Sequence, residues 1–146
     1  MEKPYVVGID IGGTNTVFGI VDARGSVLAT NSIKTQKHTV LEDYIQELYD
    51  ELTKLIADNT HISKIKGIGI GAPNANYFNG TIEQAPNLPW KGIIPFADKI
   101  QKKFGLPVAI TNDANAAAIG EMIYGAARGM KNFIMITLGT GVGSGI

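Results

Sequence analysis

The sequence predicts an α/β fold, in which a mixed five-stranded sheet carries helices on its faces. Three runs rich in Val, Ile and Thr come first, at residues 5–11, 16–22 and 26–34. Their connections are short, so they are predicted to pair as an antiparallel meander. Two later apolar runs lie at residues 65–70 and 106–111, with a helical segment between them. A crossover of that kind predicts parallel pairing, and the sheet is therefore mixed.

Two helices are predicted between the strands. The first covers residues 41–56, where apolar side chains recur at three- and four-residue spacing, and a capping box of Thr39 and Glu42 is predicted to begin it. The second runs from Pro95, a residue favoured in the first turn, to Gly105, which stands where a C-terminal cap belongs. Both helices are expected to cover faces of the sheet.

Composition indicates one compact domain whose ligands are small molecules. The chain has 146 residues, of which 45% are hydrophobic and 18% are charged, enough apolar material for a sizeable core. Its 13 basic residues balance 13 acidic ones, so it lacks the positive charge expected of a nucleic-acid-binding protein. It has no cysteine, and Asp10 interrupts the first apolar run too early for a signal peptide or a membrane span. We therefore predict a cytoplasmic protein that binds neither nucleic acid nor a membrane.

The C-terminal end of the chain predicts a longer protein. Residues 134–138 have the pattern of a strand and residues 139–145 that of a turn, after which a single residue remains. A strand that enters a turn and then stops has an unpaired edge. We expect a first lobe at residues 1–130 and the start of a truncated second lobe at residues 131–146.

A glycine turn after the first strand has the composition of a phosphate-binding loop. Gly12, Gly13 and Thr14 follow the apolar run, and loops without bulky side chains let backbone N–H groups approach phosphate closely. Asp10, on the same strand, is placed to hold Mg²⁺ through water. The sequence has no Walker lysine, so backbone and hydroxyl groups are expected to hold the phosphate. The alternative interpretation is a glycine hairpin beside a capped aspartate.

A second pattern, Asn112-Asp113, stands where the fifth strand is predicted to pass into an alanine-rich helix at residues 113–128. An aspartate at such a junction can take a proton from an alcohol, so Asp113 is a candidate general base. The amide of Asn112 is then placed to fix a neighbouring hydroxyl. Asn and Asp are also ordinary helix caps, and the two roles are compatible.

A second glycine-rich turn follows the apolar run at residues 133–136. Gly139, Thr140 and Gly141 are predicted to contact phosphate from the side opposite the first turn. The alternative is a flexible linker, which the preceding apolar run disfavours.

The segment between the fourth strand and about Gly92 has the composition of a long polar loop. Asn74 and Asn87 are predicted to contact a sugar, because binding residues are often carried on loops and amides pair well with hydroxyl groups. Trp90 either contacts the sugar as well or anchors the loop on the core.

Three blocks of the sequence resemble the ROK family of sugar kinases (repressor, open reading frame, kinase), which belongs to the superfamily that includes actin. The blocks are GIDIGGTNTVFGIVD, APNLPW, and NDANAAAIGE running on to LGTGVGSGI. Their order and spacing span essentially the whole chain, which makes the resemblance specific. Within the family the chain is most similar to bacterial glucokinases. The implied fold is an actin-like, ribonuclease H-like ATPase lobe.

The resemblance implies ATP-dependent phosphorylation of a hexose, with glucose as the first choice. Asp113 then deprotonates the 6-hydroxyl of the sugar, and Asn112 binds the sugar beside it. The remaining matches are the two phosphate loops and the acidic residue associated with Mg²⁺, namely Gly12, Gly13 and Thr14, then Gly139, Thr140 and Gly141, and Asp10. The family's second lobe carries most of the nucleotide pocket and a structural zinc held by cysteines. For the full-length protein we expect a homo-oligomer.

Two departures from the family pattern limit these expectations. Asn74-Ala75-Asn76-Tyr77 replaces a Gly-Pro-Val-Asp-like turn of many members, so the preferred hexose stays open. The family chain is also much longer, so these residues alone are expected to be catalytically inactive.

Three other functional classes compete with this one, and one of them, an ATPase of the superfamily that acts on a protein or acyl substrate, is disfavoured by Asn112-Asp113 and by residues 86–90. ROK transcriptional repressors resemble the kinases but carry an N-terminal helix-turn-helix arm, for which a chain that enters its first strand at Tyr5 is expected to have no room. A non-catalytic sugar-sensing domain should lack the general base, and Asp113 argues against that class.

Overall fold

The computed structural model describes residues 3–22 and 26–112, which form eight strands and two α-helices. In chain order the strands are β1 (Tyr5–Ile11), β2 (Asn15–Asp22), β3 (Val27–Lys34), β4 (Ile65–Gly71), β5 (Ala75–Asn76), β6 (Thr81–Glu83), β7 (Ile93–Ile94) and β8 (Val108–Thr111). The helices are α1 (Leu41–Asn59) and α2 (Phe96–Phe104), and short 3-10 turns occupy Thr35–Lys37 and Ile62–Lys64.

The central sheet has five strands in the order β3, β2, β1, β4, β8. β1 pairs with β2 in antiparallel orientation, and β2 pairs with β3 in the same way. β1 and β4 are parallel, as are β4 and β8. The predicted mixed sheet, a meander followed by parallel strands, is confirmed.

One hydrophobic cluster joins the sheet to both helices. It includes Phe18 from β2, Leu48 from α1 and Phe96 from α2, all of them completely buried. β1 and β4 are buried along nearly their whole length, as central strands are when both faces of a sheet are covered. The buried residues of α1 follow the helical spacing of its apolar side chains, which confirms the predicted amphipathic helix.

The start of α1 differs from the predicted capping box. Its N-cap is Val40, which has no side-chain acceptor, and the backbone amides of Asp43 and Tyr44 donate to the Val40 carbonyl at 3.1 and 3.2 Å. Thr39 lies one residue too early to cap the helix, so the predicted box with Glu42 is wrong. Glu42 and Asp43 lie in the first turn, where acidic side chains interact favourably with the helix dipole.

α2 has the ends that the sequence predicts. Pro95 is its N-cap, and Gly105 ends it in the left-handed conformation, with φ at 69°. The Gly105 amide donates to the Gln101 carbonyl at 2.8 Å. Neither α1 nor α2, in the described part of the chain, combines the length and apolarity that a membrane crossing needs.

The segment predicted as a long polar loop contains a second, three-stranded sheet. β5, β6 and β7 pair in that order, and both pairings are antiparallel. The backbone turns through Asn74, with φ at 55°, and Gly80, with φ at 70°. The prediction of a loop throughout this segment is wrong, because strands of two or three residues are too short to show a period of two.

Candidate functional site

The ends of β1, β4 and β8 lie side by side at one edge of the central sheet. Asp10 of β1 pairs with Gly71 of β4, and Gly71 pairs with Thr111 of β8. Since neighbouring strands are about 4.8 Å apart, Asp10 and Thr111 are separated by roughly 10 Å across this row. Residues 12–14, here called the glycine turn, therefore leave the sheet at the same edge as Asn112, which directly follows β8.

The glycine turn requires a residue without a side chain at its first position. The Gly12 amide donates to the Asn15 carbonyl at 2.9 Å. A Cβ atom on Gly12 would lie 2.9 Å from that same oxygen, closer than such atoms approach in proteins. A Cβ atom on Gly13 would lie 3.3 Å from the Cβ of Asn87. The turn therefore packs closely on residues 86–90, here called the asparagine loop.

Asp10 places a buried carboxylate beside the glycine turn. It is the next-to-last residue of β1 and is 5% exposed. Mg²⁺ usually keeps several waters and takes one or two carboxylates together with phosphate oxygens. A single carboxylate next to a glycine turn fits that pattern, and no group of three or more His, Cys, Asp or Glu side chains converges among the described residues. The arrangement is thus suited to a Mg²⁺ ion that arrives with a phosphate.

Behind the glycine turn, three buried hydroxyl groups form a chain that the sequence pattern does not reveal. The Oγ1 atom of Thr16 lies 2.8 Å from Thr35 Oγ1 and 2.6 Å from the Tyr44 hydroxyl. The Thr35 amide donates to the carbonyl of Thr14, the last residue of the glycine turn, at 2.9 Å. Thr14 is therefore fixed to the 3-10 turn after β3. Thr16, two residues further along, is fixed to α1.

Tyr44 contributes a neutral hydroxyl to this chain. Burial raises the pKa of its phenol far above the ordinary value, the hydrogen bond with Thr16 lowers that pKa by less, and the negative charge of Asp10 raises it again. The phenol consequently keeps its proton, and a protonated hydroxyl can donate one hydrogen bond and accept others. Tyr44 is a partner that no short motif in the sequence identifies.

The asparagine loop is held against the glycine turn from two sides. On the outer side, Gln36 Nε2 donates to the Gly13 carbonyl at 2.7 Å and to the Asn87 carbonyl at 2.8 Å. On the inner side, the rings of Trp90 and Tyr44 have their centroids 4.3 Å apart, and Trp90 is 5% exposed. Trp90 therefore anchors the loop on the core, as the second of its two predicted roles requires. Asn87 is exposed.

A groove of about 470 Å³ brings Asn74 and Asn112 together. The residues that line it come from the small sheet and the end of β8: Asn74, Ala75, Asn76, Tyr77, Phe78, Glu83, Thr111 and Asn112. Asn74 Nδ2 donates to the Glu83 and Gln84 carbonyls at 3.0 and 3.1 Å. Its amide hydrogens thus hold the small sheet, and its carbonyl oxygen is the group that it can offer to a ligand. The other predicted amide, Asn87, lies beside the glycine turn instead.

Several predicted site residues lie outside the described part of the chain. They are Asp113, Gly139, Thr140 and Gly141, together with the predicted helix at residues 113–128. The roles of these residues stay predictions.

Comparison with known proteins identifies relatives along nearly the whole chain. The family model described as "ROK family" matches residues 6–146. A glucokinase of Streptomyces coelicolor is 38% identical over 143 residues, which are 96% of this chain and 42% of that protein. A xylose repressor of Caldicellulosiruptor bescii is 33% identical over 143 residues, 97% of this chain and 36% of that protein.

A solved structure shares the fold. It is a ROK family glucokinase from Streptomyces griseus in complex with glucose and AMPPNP, with a TM-score of 0.62 and 35% identity. The match covers 86% of this chain and 38% of that one, so the chain spans less than half the length of these relatives. Together with the mixed sheet, these matches confirm the predicted fold class, an actin-like ATPase lobe, and the resemblance to ROK-type glucokinases.

Proposed function

The chain belongs to the ROK family, and on that premise we propose that it is the first lobe of an ATP-dependent hexose kinase. Residues 1–130 are the proposed lobe, and residues 131–146 are the proposed start of the second. Glucose is the proposed hexose, because the relative from S. coelicolor and the structure from S. griseus are both glucokinases. In this proposal the second lobe supplies most of the nucleotide pocket, so the 146 residues alone are inactive.

One observation carries the proposal: Asp10, Gly71 and Thr111 form a single row across the sheet. The row brings the glycine turn and Asn112, the residue before Asp113 in the sequence, to one edge. In open α/β sheets, ligands bind in the crevice outside the carboxyl ends of the strands. A phosphate at the glycine turn and a sugar hydroxyl near Asn112 would then lie at the same edge of the sheet, where the hydroxyl can approach the phosphorus.

The proposed reaction assigns one role to each of these residues. Asp113 accepts the proton of the sugar 6-hydroxyl as that oxygen forms a bond to the γ-phosphorus of ATP. The bond from the γ-phosphorus to the β,γ-bridging oxygen breaks, and ADP leaves with that electron pair. Asn112 and Asn74 hold other hydroxyl groups of the sugar from their groove, and Asn87 holds one from beside the glycine turn. Catalysis of this kind depends mainly on positioning and on stabilisation of charge.

The phosphate contacts divide between the two predicted turns. The Gly13 backbone amide and the Thr14 hydroxyl hold phosphate oxygens from the described side, and Gly12, whose amide donates to the Asn15 carbonyl, lets the turn close. Gly139, Thr140 and Gly141 hold them from the other side. Mg²⁺, held through water by Asp10, would neutralise negative charge on the ATP phosphates.

The test is ATP-dependent phosphorylation across a panel of hexoses by the longer protein that carries this chain, beside its Asp113→Asn variant. We expect turnover of glucose and a loss of at least about 10³-fold in kcat in the variant, since proton transfer and positioning are lost together. Asp98→Asn, an exposed change on α2, is the control for loss of one carboxylate. ATP-dependent phosphorylation by the 146 residues alone would contradict their assignment as an incomplete lobe.

A second candidate is a sugar-sensing regulator, which the similarity to the C. bescii xylose repressor favours. A sensor would bind a sugar without phosphorylating it. Sugar binding by calorimetry, with no turnover in either the longer protein or its Asp113→Asn variant, would support the regulator and exclude the kinase.

A further inference from the structure

Gln36 bridges two segments to which the proposed function assigns different ligands. Its single amide nitrogen donates to the Gly13 carbonyl at 2.7 Å and to the Asn87 carbonyl at 2.8 Å. A side-chain amide nitrogen carries two hydrogens, so each hydrogen is used on one segment. The glycine turn is the proposed phosphate contact and the asparagine loop is a proposed sugar contact. Gln36 therefore joins the two halves of the proposed site without occupying either.

The backbone that carries Gln36 is fixed independently of this bridge. Its neighbour Thr35 is completely buried and is bonded to Thr16 through its hydroxyl, at 2.8 Å. The Thr35 amide is bonded to the Thr14 carbonyl at 2.9 Å. Gln36 itself is exposed, so its side chain can be changed without opening the core. The Gln36 side chain thus extends from a backbone that is already fixed. This reduces the conformational entropy lost when its amide makes the two hydrogen bonds.

The two bridged segments also touch each other. A Cβ atom on Gly13 would lie 3.3 Å from the Cβ of Asn87 and 3.5 Å from its carbonyl oxygen. With contact between the segments and a bridge across them, a movement of one segment must either move the other or break the bridge.

We infer that Gln36 is a positioning residue that couples phosphate binding at the glycine turn to sugar binding at the asparagine loop. This inference rests on the proposed function. A ligand that orders one segment also orders the other through the bridge, so less conformational freedom is left for the second ligand to restrict. Sugar and nucleotide should therefore bind with positive cooperativity, and each should raise the affinity of the other by the same factor.

Two variants of Gln36 separate its hydrogen bonds from its size. Gln36→Glu keeps the shape but places a carboxylate oxygen against two carbonyl oxygens, and Gln36→Met keeps the length without a donor. Gln101→Glu makes the same chemical change at an exposed position of α2 and is the matched control. Amide hydrogen exchange of the 146-residue chain is the first readout. Exchange should become faster at residues 12–15 and 85–90 in both Gln36 variants, with α1 unchanged, and should be unaffected in the control.

The second readout is the affinity for glucose of the longer protein, measured by calorimetry with and without AMPPNP. Coupled sites typically change each other's affinity by about 5- to 150-fold. In the wild type and in Gln101→Glu we expect a factor in that range. In Gln36→Met, the factor by which AMPPNP raises the affinity for glucose should fall towards one. In Gln36→Glu this factor should fall at least as far.

The outcomes distinguish the inference from the proposed function. Wild-type coupling that survives in both Gln36 variants overturns the inference, even if hydrogen exchange is faster, because the bridge would then be only structural. Unchanged hydrogen exchange in both variants overturns it as well. A longer protein that turns over no hexose and binds none overturns the proposed function, whatever hydrogen exchange shows about the bridge.

Discussion

The hydroxyl of Tyr44, on α1, lies 2.6 Å from the Oγ1 atom of Thr16, just after the glycine turn. Thr16 also bonds to Thr35, and the ring of Tyr44 packs at a tilt against Trp90 of the asparagine loop. One helix side chain thus supports both segments of the candidate site from the core. This relationship and the Gln36 bridge indicate that the segments are held as one unit.

Removing the Tyr44 hydroxyl should destabilise the protein. In Tyr44→Phe, the buried hydroxyl of Thr16 loses one of its two partners, and we expect the free energy of unfolding to fall by about 1–2 kcal/mol. Urea denaturation at neutral pH measures the change. Tyr49→Phe, a half-buried tyrosine on the same helix, is the control. If the free energy of unfolding fell equally in the two variants, the hydrogen bond between Tyr44 and Thr16 would contribute no more to stability than an ordinary tyrosine hydroxyl does.

Stability should also fall at alkaline pH because of Tyr44. Its pKa is raised in the folded state by burial, whereas in the unfolded chain it has the ordinary value of about 10. Above that value the unfolded chain binds fewer protons than the folded one, so the free energy of unfolding decreases as pH rises, by up to about 1.4 kcal/mol per pH unit. The contribution is fully present below the ordinary pKa and is lost as pH rises towards the raised one.

Urea denaturation across this alkaline window tests the assignment. Tyr44→Phe should show a shallower decrease in the free energy of unfolding with pH than the wild type. Identical slopes in the wild type and Tyr44→Phe would mean that another group causes the alkaline loss.

The two glycines of the turn should differ in their tolerance of alanine. A Cβ on Gly12 meets the Asn15 backbone oxygen at 2.9 Å, and backbone cannot move aside as a side chain can. We expect Gly12→Ala to lower the free energy of unfolding by about 1–3 kcal/mol, as overpacking does. The Cβ of Gly13→Ala would lie 3.3 Å from the Cβ of Asn87, and we expect this variant to lower the free energy of unfolding by less. Thermal denaturation of the pair, measured side by side, checks the order, and a more severe Gly13→Ala would contradict it.

Asp10→Asn should impair catalysis in the proposed kinase. The carboxylate is expected to hold Mg²⁺ through water, and loss of such an outer partner typically costs about 10- to 100-fold in metal affinity or activity. We expect a higher Mg²⁺ requirement and a lower kcat in the longer protein, measured by Mg²⁺ titration at saturating glucose. Asp98→Asn is again the exposed control. If the Asp10→Asn protein had the circular dichroism and the Mg²⁺ dependence of the wild type, Asp10 would not be a Mg²⁺-binding residue.

Much of the fold follows from local patterns in the sequence. The central sheet, α1 and the ends of α2 are where the apolar periodicity, Pro95 and Gly105 predict them. The cap of α1 and the small sheet are not, because a cap depends on a shift of one residue and strands of two residues carry no periodicity.

The candidate site divides in the same way. Sequence alone determined the chemistry that is available: a carboxylate and a glycine turn after one strand, amides after others, and the motif order of the ROK family. Only the tertiary structure decided which of these meet. The sheet order places the ends of β1, β4 and β8 on one edge, and it separates Asn87 from the groove that Asn74 and Asn112 share. The partners of Thr16, 19 and 28 residues away, are likewise chosen by packing, because local patterns carry no information about contacts across such separations.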